Sequence, residues 1–176
     1  IYQRAVGPTV VAGQLSQSIY YAKNIVSANA GANTVTVAFS SGAAFPDIRI
    51  LEYSGADTNS PVDVTAAASG STSTSNSGTA TTTSPTDLIF GANTVTGSTR
   101  GPGTAFTRRL LTVPDGDIAE DRMVTATGSY SATASVTGGR WIMQMVAFRT
   151  PVVGGTDTQP PTAPSKVVSP VAVSPQ

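Results

Sequence analysis

RWIMQMVAF, residues 140–148, is the stretch on which the fold turns. Read with a period of two, it places Trp141, Met143, Met145 and Ala147 on one side and Ile142, Val146 and Phe148 on the other, with Gln144 the polar exception. A strand apolar on both faces needs cover on both faces, so this segment is expected in the middle of a sheet. Residues 48–53 repeat the pattern more weakly, with Ile48 and Ile50 set against Leu51 and Tyr53. TVTVAF, residues 34–39, alternates cleanly: Val35, Val37 and Phe39 face one way while Thr34, Thr36 and Ala38 face the other, which predicts a half-buried strand. Further strands are expected at 18–22, 62–67, 78–83, 87–90, 107–113, 122–127 and 129–134. The run SGSTSTSNSGTATTTS, residues 69–84, reads as a loop in its first half and a Thr-rich edge strand in its second. No segment sustains an i, i+3, i+4 pattern over three turns, and turn residues recur about every ten positions. The fold class is therefore all-β, an antiparallel β-sandwich of jelly-roll type filling residues 1–155.

Composition narrows the function. Among 176 residues, ten basic and ten acidic side chains cancel, and only 11% are charged, against about 25% in ordinary globular domains. Nothing in that balance steers toward nucleic acid or an anionic membrane. Ser and Thr make up roughly a quarter of the chain, so its solubility rests on hydroxyls, as in many secreted and cell-surface β-proteins. Cysteine and histidine are both absent. That removes disulfides, thiolate metal sites, Cys nucleophiles and every Ser-His or Cys-His arrangement. No stretch approaches the length of a membrane span, and IYQRAV has neither the basic nor the apolar part of a signal peptide. The chain reads as a mature product or as a piece of something longer.

DTQPPTAPS, residues 157–165, carries Pro160, Pro161 and Pro164, which fix φ, remove donors and favour extended polyproline geometry. Residues 156–176 are thus expected to be a linker and an extended tail. In that tail, Val167, Val168, Val171 and Val173 can lie along a sheet edge while Pro170 limits pairing.

The segments YYAKNIVSANAGANTVTVAFS, DIRILEYSGAD, DLIFGANT, PDGDIAEDRMVTATGSYSATA and WIMQMVAFR occur here in order. Through them the chain resembles the concanavalin-A-like jelly-roll modules of large secreted multi-domain bacterial proteins of acidobacterial type. There the module is followed by a DTQPPTAPS seam and a fibronectin type III domain. The resemblance implies an extracellular or cell-surface setting and a jelly-roll fold, and carries no activity with it. Relatives of this kind have further strand-forming sequence upstream of the position of Ile1, so the sandwich is expected to be incomplete here. An open sandwich edge invites a strand from another chain. The expected function is accordingly a non-enzymatic structural subunit of a surface filament, a homo-oligomer built by donor-strand or tail exchange. The alternative is a carbohydrate-binding or adhesion module that meets polysaccharide.

Individual residues offer few sites. PDGDIAED gathers Asp115, Asp117, Glu120 and Asp121, hard oxygen ligands of the type calcium takes, though without the ladder of an EF-hand loop. The plainer reading is a Pro-Asp-Gly turn whose acids pair with Arg122 and with Arg108 or Arg109. No other cofactor is expected. Glu52 and Glu120 are the two glutamates, and no glycosidase-like carboxylate pair emerges from their spacing. Trp141 belongs to the core pattern, which leaves Tyr20, Tyr21 and Tyr130 as aromatic faces for a sugar. The Ser/Thr-rich run and the Thr/Pro seam have the composition of O-glycan carriers.

Overall fold

The computed structural model describes residues 1–27, 29, 32, 34–39, 42–150 and 167–168. The strands are β1 (Gln3–Val11), β2 (Leu15–Tyr21), β3 (Ile50–Leu51), β4 (Val62–Gly70), β5 (Thr74–Asn76), β6 (Ala80–Thr81), β7 (Asp87–Val95), β8 (Thr99–Pro102), β9 (Thr107–Leu111), β10 (Ile118–Val124), β11 (Ser129–Tyr130), β12 (Thr133–Val136), β13 (Trp141–Arg149) and β14 (Val167–Val168). Every pairing is antiparallel, and no helix occurs among the described residues. This is an all-β sandwich.

Its centre is a five-stranded sheet in the order β4-β13-β7-β10-β9, so RWIMQMVAF does lie between two neighbours. Trp141, Met143, Met145 and Ala147 join Ile89, Val95, Phe106, Val124, Ala132 and Val136 in one apolar cluster. That face is covered by the sheet β5-β12-β8 and the pair β6-β11. At the 25 cal/mol per Å² typical of apolar burial, each such side chain contributes on the order of 2 kcal/mol, so this layer dominates the fold's stability. The opposite face carries Ile142, Gln144, Val146 and Phe148. The β1-β2 hairpin lies over it, and Leu51 and Tyr53 pack beside it on Phe90, Ala92 and Ala119.

Gln144 explains how a polar residue sits in that strand. It is fully buried and donates through Nε2 to Thr9 Oγ1 (2.9 Å) and to the Gln17 carbonyl (2.9 Å), while its Oε1 accepts from Gln17 Nε2 at 3.2 Å. Gln17 Nε2 also donates to the Ala92 carbonyl of β7 (2.9 Å). The hairpin is thereby bonded to the central sheet through side chains as well as packed on it. Gly7 is needed at this contact: its φ is +100°, and a Cβ would sit 2.7 Å from the Gln17 carbonyl oxygen.

Several expectations are corrected. Residues 34–39 form no strand, and among the described residues no backbone pairs with them; alternation makes a strand only where a partner exists. The first half of the run 69–84 is not all loop. β4 extends to Gly70, and β5 pairs with β12, its Ser75 buried because the hydroxyl donates to the Ala134 carbonyl. The strand expected at 122–127 lies at Ile118–Val124, and the one at 129–134 is split into β11 and β12. β1 and β8 were not anticipated at all.

Candidate functional site

The acidic turn is the densest group of carboxylates in the sequence, and the fold disperses it. Asp115 is exposed at the turn tip, followed by Gly116, whose φ is +73° and whose α-carbon leaves no room for a Cβ against Ser98. Asp117 turns inward, where its Oδ1 accepts from the Val95 amide (2.8 Å) and its Oδ2 from Thr94 Oγ1 (2.9 Å). Burial pushes its carboxyl up to about 6, opposed by Arg49 and by these two donors. Asp117 thus ties the end of β7 to the loop before β10.

Strand periodicity then separates Glu120 from Asp121. Glu120 faces the main core, fully buried, and its Oε2 accepts from the Gly103 amide at 2.9 Å. Burial raises the group to about 7, opposed by the backbone amides of Gly103 and Thr133. Asp121 faces the other way and accepts from Tyr53 Oη (2.7 Å) and Arg109 Nε (2.7 Å). Burial and the Asp121 charge hold the Tyr53 hydroxyl protonated. The expected pairing of these acids with Arg109 is therefore realised by Asp121. Arg122 instead lies between the rings of Phe106 and Tyr130, 5.6 and 5.4 Å from their centroids. Among the described residues no three acidic, His or Cys side chains come together in a way that holds a metal ion.

The aromatic candidates have different fates. Tyr130 donates to the Ala126 carbonyl (2.7 Å) and packs against the core. Tyr21 donates to Gln3 Oε1 and stacks edge-on against Phe148, with centroids 6.1 Å apart. Tyr20 points outward, 55% exposed, opposite Arg4 on the hairpin and close in register to Tyr2, which is also exposed. Tyr2, Arg4 and Tyr20 form the one aromatic and cationic group on the outer surface of the hairpin. Glu52 is exposed and Glu120 buried, so the two glutamates share no environment.

Of the tail positions, Val167 and Val168 form β14 and pair in antiparallel register with Leu51 and Ile50 of the same chain. Val171, Val173 and the seam at 157–165 lie outside the described residues.

One group escaped the sequence reading. Asp63 on β4, Asp87 at the start of β7 and Arg149 at the end of β13 converge at one pole of the sheet. Asp63 and Asp87 are 24 positions apart and flank no motif, so spacing gives no signal of their meeting. Comparison with family models, with curated proteins and with solved structures returns no match.

Proposed function

We propose that this chain is a non-enzymatic extracellular structural module that assembles with copies of itself by exchanging or adding strands. The observation that carries the reading is the segment between β2 and β3. Residues 25–46 contain no charged side chain, and Ile25, Val26, Val37, Phe39 and Phe45 are exposed there, Val26 and Phe45 by more than 80%. Within it, residues 34–39 have the alternation of a strand, yet no backbone hydrogen bond joins them to any described residue. Uncharged, β-prone and unpaired backbone is what a neighbouring edge recruits.

A second copy suits this segment better than a lipid surface, because unpaired N–H and C=O groups are costly in hydrocarbon whereas strand pairing satisfies them. Antiparallel self-pairing centred on Val37 puts Val37 opposite Val37 and Val35 opposite Phe39, all on one face, with no like charges opposed. The tail supports the same reading, since β14 rests on a two-residue partner and a short pairing of that kind is easily exchanged between copies. The hydroxyl-rich, weakly charged composition suits an extracellular setting.

The test is light scattering after size exclusion, with negative-stain microscopy, on the intact chain, on a chain lacking residues 157–176, and on Val37→Lys. Concentration-dependent oligomers or filaments lost in either variant support assembly and say which segment mediates it. A monomer at all concentrations in all three samples overturns the reading. The exposed Tyr2, Arg4 and Tyr20 favour a second reading, polysaccharide binding at the hairpin. Retention of the wild type but not of Tyr20→Ala on an insoluble polysaccharide would establish it.

A further inference from the structure

The acid pair at the pole of the central sheet is built in a way that ordinary structural carboxylates are not. Asp63 is fully supplied with donors: Oδ1 accepts from Thr83 Oγ1 and from Arg149 Nη2 (2.7 Å), and Oδ2 accepts from the amides of Thr83 (2.6 Å) and Ser84 (3.3 Å). Although burial works against its charge, these donors hold the Asp63 carboxyl below the usual aspartate range. Asp87 is buried as well, but neither of its oxygens has a donor, and it lies within hydrogen-bond reach of Asp63.

A buried carboxylate without donors is costly, and a second negative charge beside it makes it more so. Arg149 balances one charge at this pole; its Nη1 donates to the carbonyls of Ser60 (3.1 Å) and Val62 (2.6 Å), and its Nη2 also donates to Thr83 Oγ1 (3.4 Å). Among the described residues, the other elements packed here bring one further cation, Lys23, which is held at the Asn59 carbonyl beside Asp57. β10 places Val124 opposite Asp87, and Arg122, the nearest charged side chain on that face of β10, is held between Phe106 and Tyr130. The segment before β4 brings Asp57, a further acid near Arg149.

We propose that Asp87 donates a proton to Asp63 and that this shared proton is a pH-sensitive latch fastening the ends of β4 and β7 on either side of β13. Arg149 and Asp87 are register partners at that end, and Thr150, the next residue, is held by the Thr86 carbonyl. Opening the latch therefore loosens the point at which the chain leaves the central sheet.

The direction follows from linkage. Burial first, then the Asp63 charge, raises Asp87 to about 6 from an ordinary 3.8. The folded state binds the proton more tightly than the unfolded state, so the stabilisation is complete below about 4 and is lost as pH rises through 6. The device is independent of the assembly reading above, since it acts within one copy.

The test is residue-resolved carbon NMR of the aspartate carboxyls in the intact chain, with hydrogen exchange at the Arg149 and Thr150 amides. Asp87 should titrate near 6, and exchange protection at those two amides, corrected for the intrinsic pH effect, should fall by about tenfold between pH 5 and 8. In Asp87→Asn, which keeps the shape and supplies a permanent donor, protection should be the same at both pH values. An Asp87 carboxyl titrating near an ordinary aspartate overturns the proposal, whether or not the variant folds. Wild-type protection that does not change across pH 6 overturns it too.

Discussion

Gly91 offers the most direct test of how the two layers of the sandwich meet. It sits in the middle of β7, paired with Glu120 on one side and Met145 on the other, and its backbone is ordinary strand. On conformational grounds alone, Gly91→Ala should stabilise the strand by about 0.5–1 kcal/mol. Packing predicts the reverse. An added Cβ would lie 2.6 Å from the Ala132 Cβ and 3.2 Å from Cγ and Oε1 of Glu120. Ala132 belongs to the opposing layer and cannot drift away, because its amide donates to Ser77 Oγ and its carbonyl accepts from the Ser77 amide, both at 3.0 Å. Relief requires the layers to part by most of an ångström, and overpacking of that kind costs about 1–3 kcal/mol. The clash outweighs the backbone gain. In urea unfolding, with a slope of about 1–3 kcal/mol per molar, the midpoint should fall by roughly 0.5–1 M. Ala132→Gly in the Gly91→Ala background should recover much of the loss even though glycine alone at 132 destabilises, a non-additivity that reports the contact itself. A Gly91→Ala protein as stable as the wild type would refute the placement of Ala132 over β7.

Three further outcomes follow from the buried polar groups. Glu120 is raised to about 7 by burial, so the folded state retains a proton that the unfolded state loses from about 4.5 upward, and stability should decline as pH rises between those values. Glu120→Gln, which keeps an acceptor for the Gly103 amide, should flatten that decline and gain about 1–3 kcal/mol at pH 8; an unchanged pH profile of Tm would contradict it. Gln144→Leu removes the donor to Thr9 and Gln17 and should cost about 1–3 kcal/mol by chemical denaturation, with Gln17→Leu in the same chain recovering part of it. Millimolar calcium should leave Tm unmoved, because Asp117, Glu120 and Asp121 are directed at three separate sets of donors; a saturable rise in Tm would show that the ion gathers them.

What the sequence disclosed depended on whether a residue's surroundings are local. β13 was legible because both of its alternate sets are apolar, and a strand of that kind has one place in a sheet. β7 was legible only as far as Phe90, since the GANTV that follows looks like a turn. Gly91 is there because Ala132 leaves no space. Asn93 is tolerated because its Nδ2 donates to Ser75 and Thr99 while its Oδ1 accepts from the Ile118 amide. Neither reason is visible in the nine residues of β7 themselves. The same holds for β10, whose acids looked like surface and pushed the expected strand four residues late. Burying Glu120 and Asp121 takes Gly103, Arg109 and Tyr53, partners up to 68 positions away. The segment 34–39 failed in the opposite sense: its pattern is complete, and the partner is what the described chain does not supply. Periodicity states what a strand would bury, whereas its existence depends on a neighbouring backbone. A well-patterned strand with no such neighbour among the described residues is what the proposed pairing with another copy rests on.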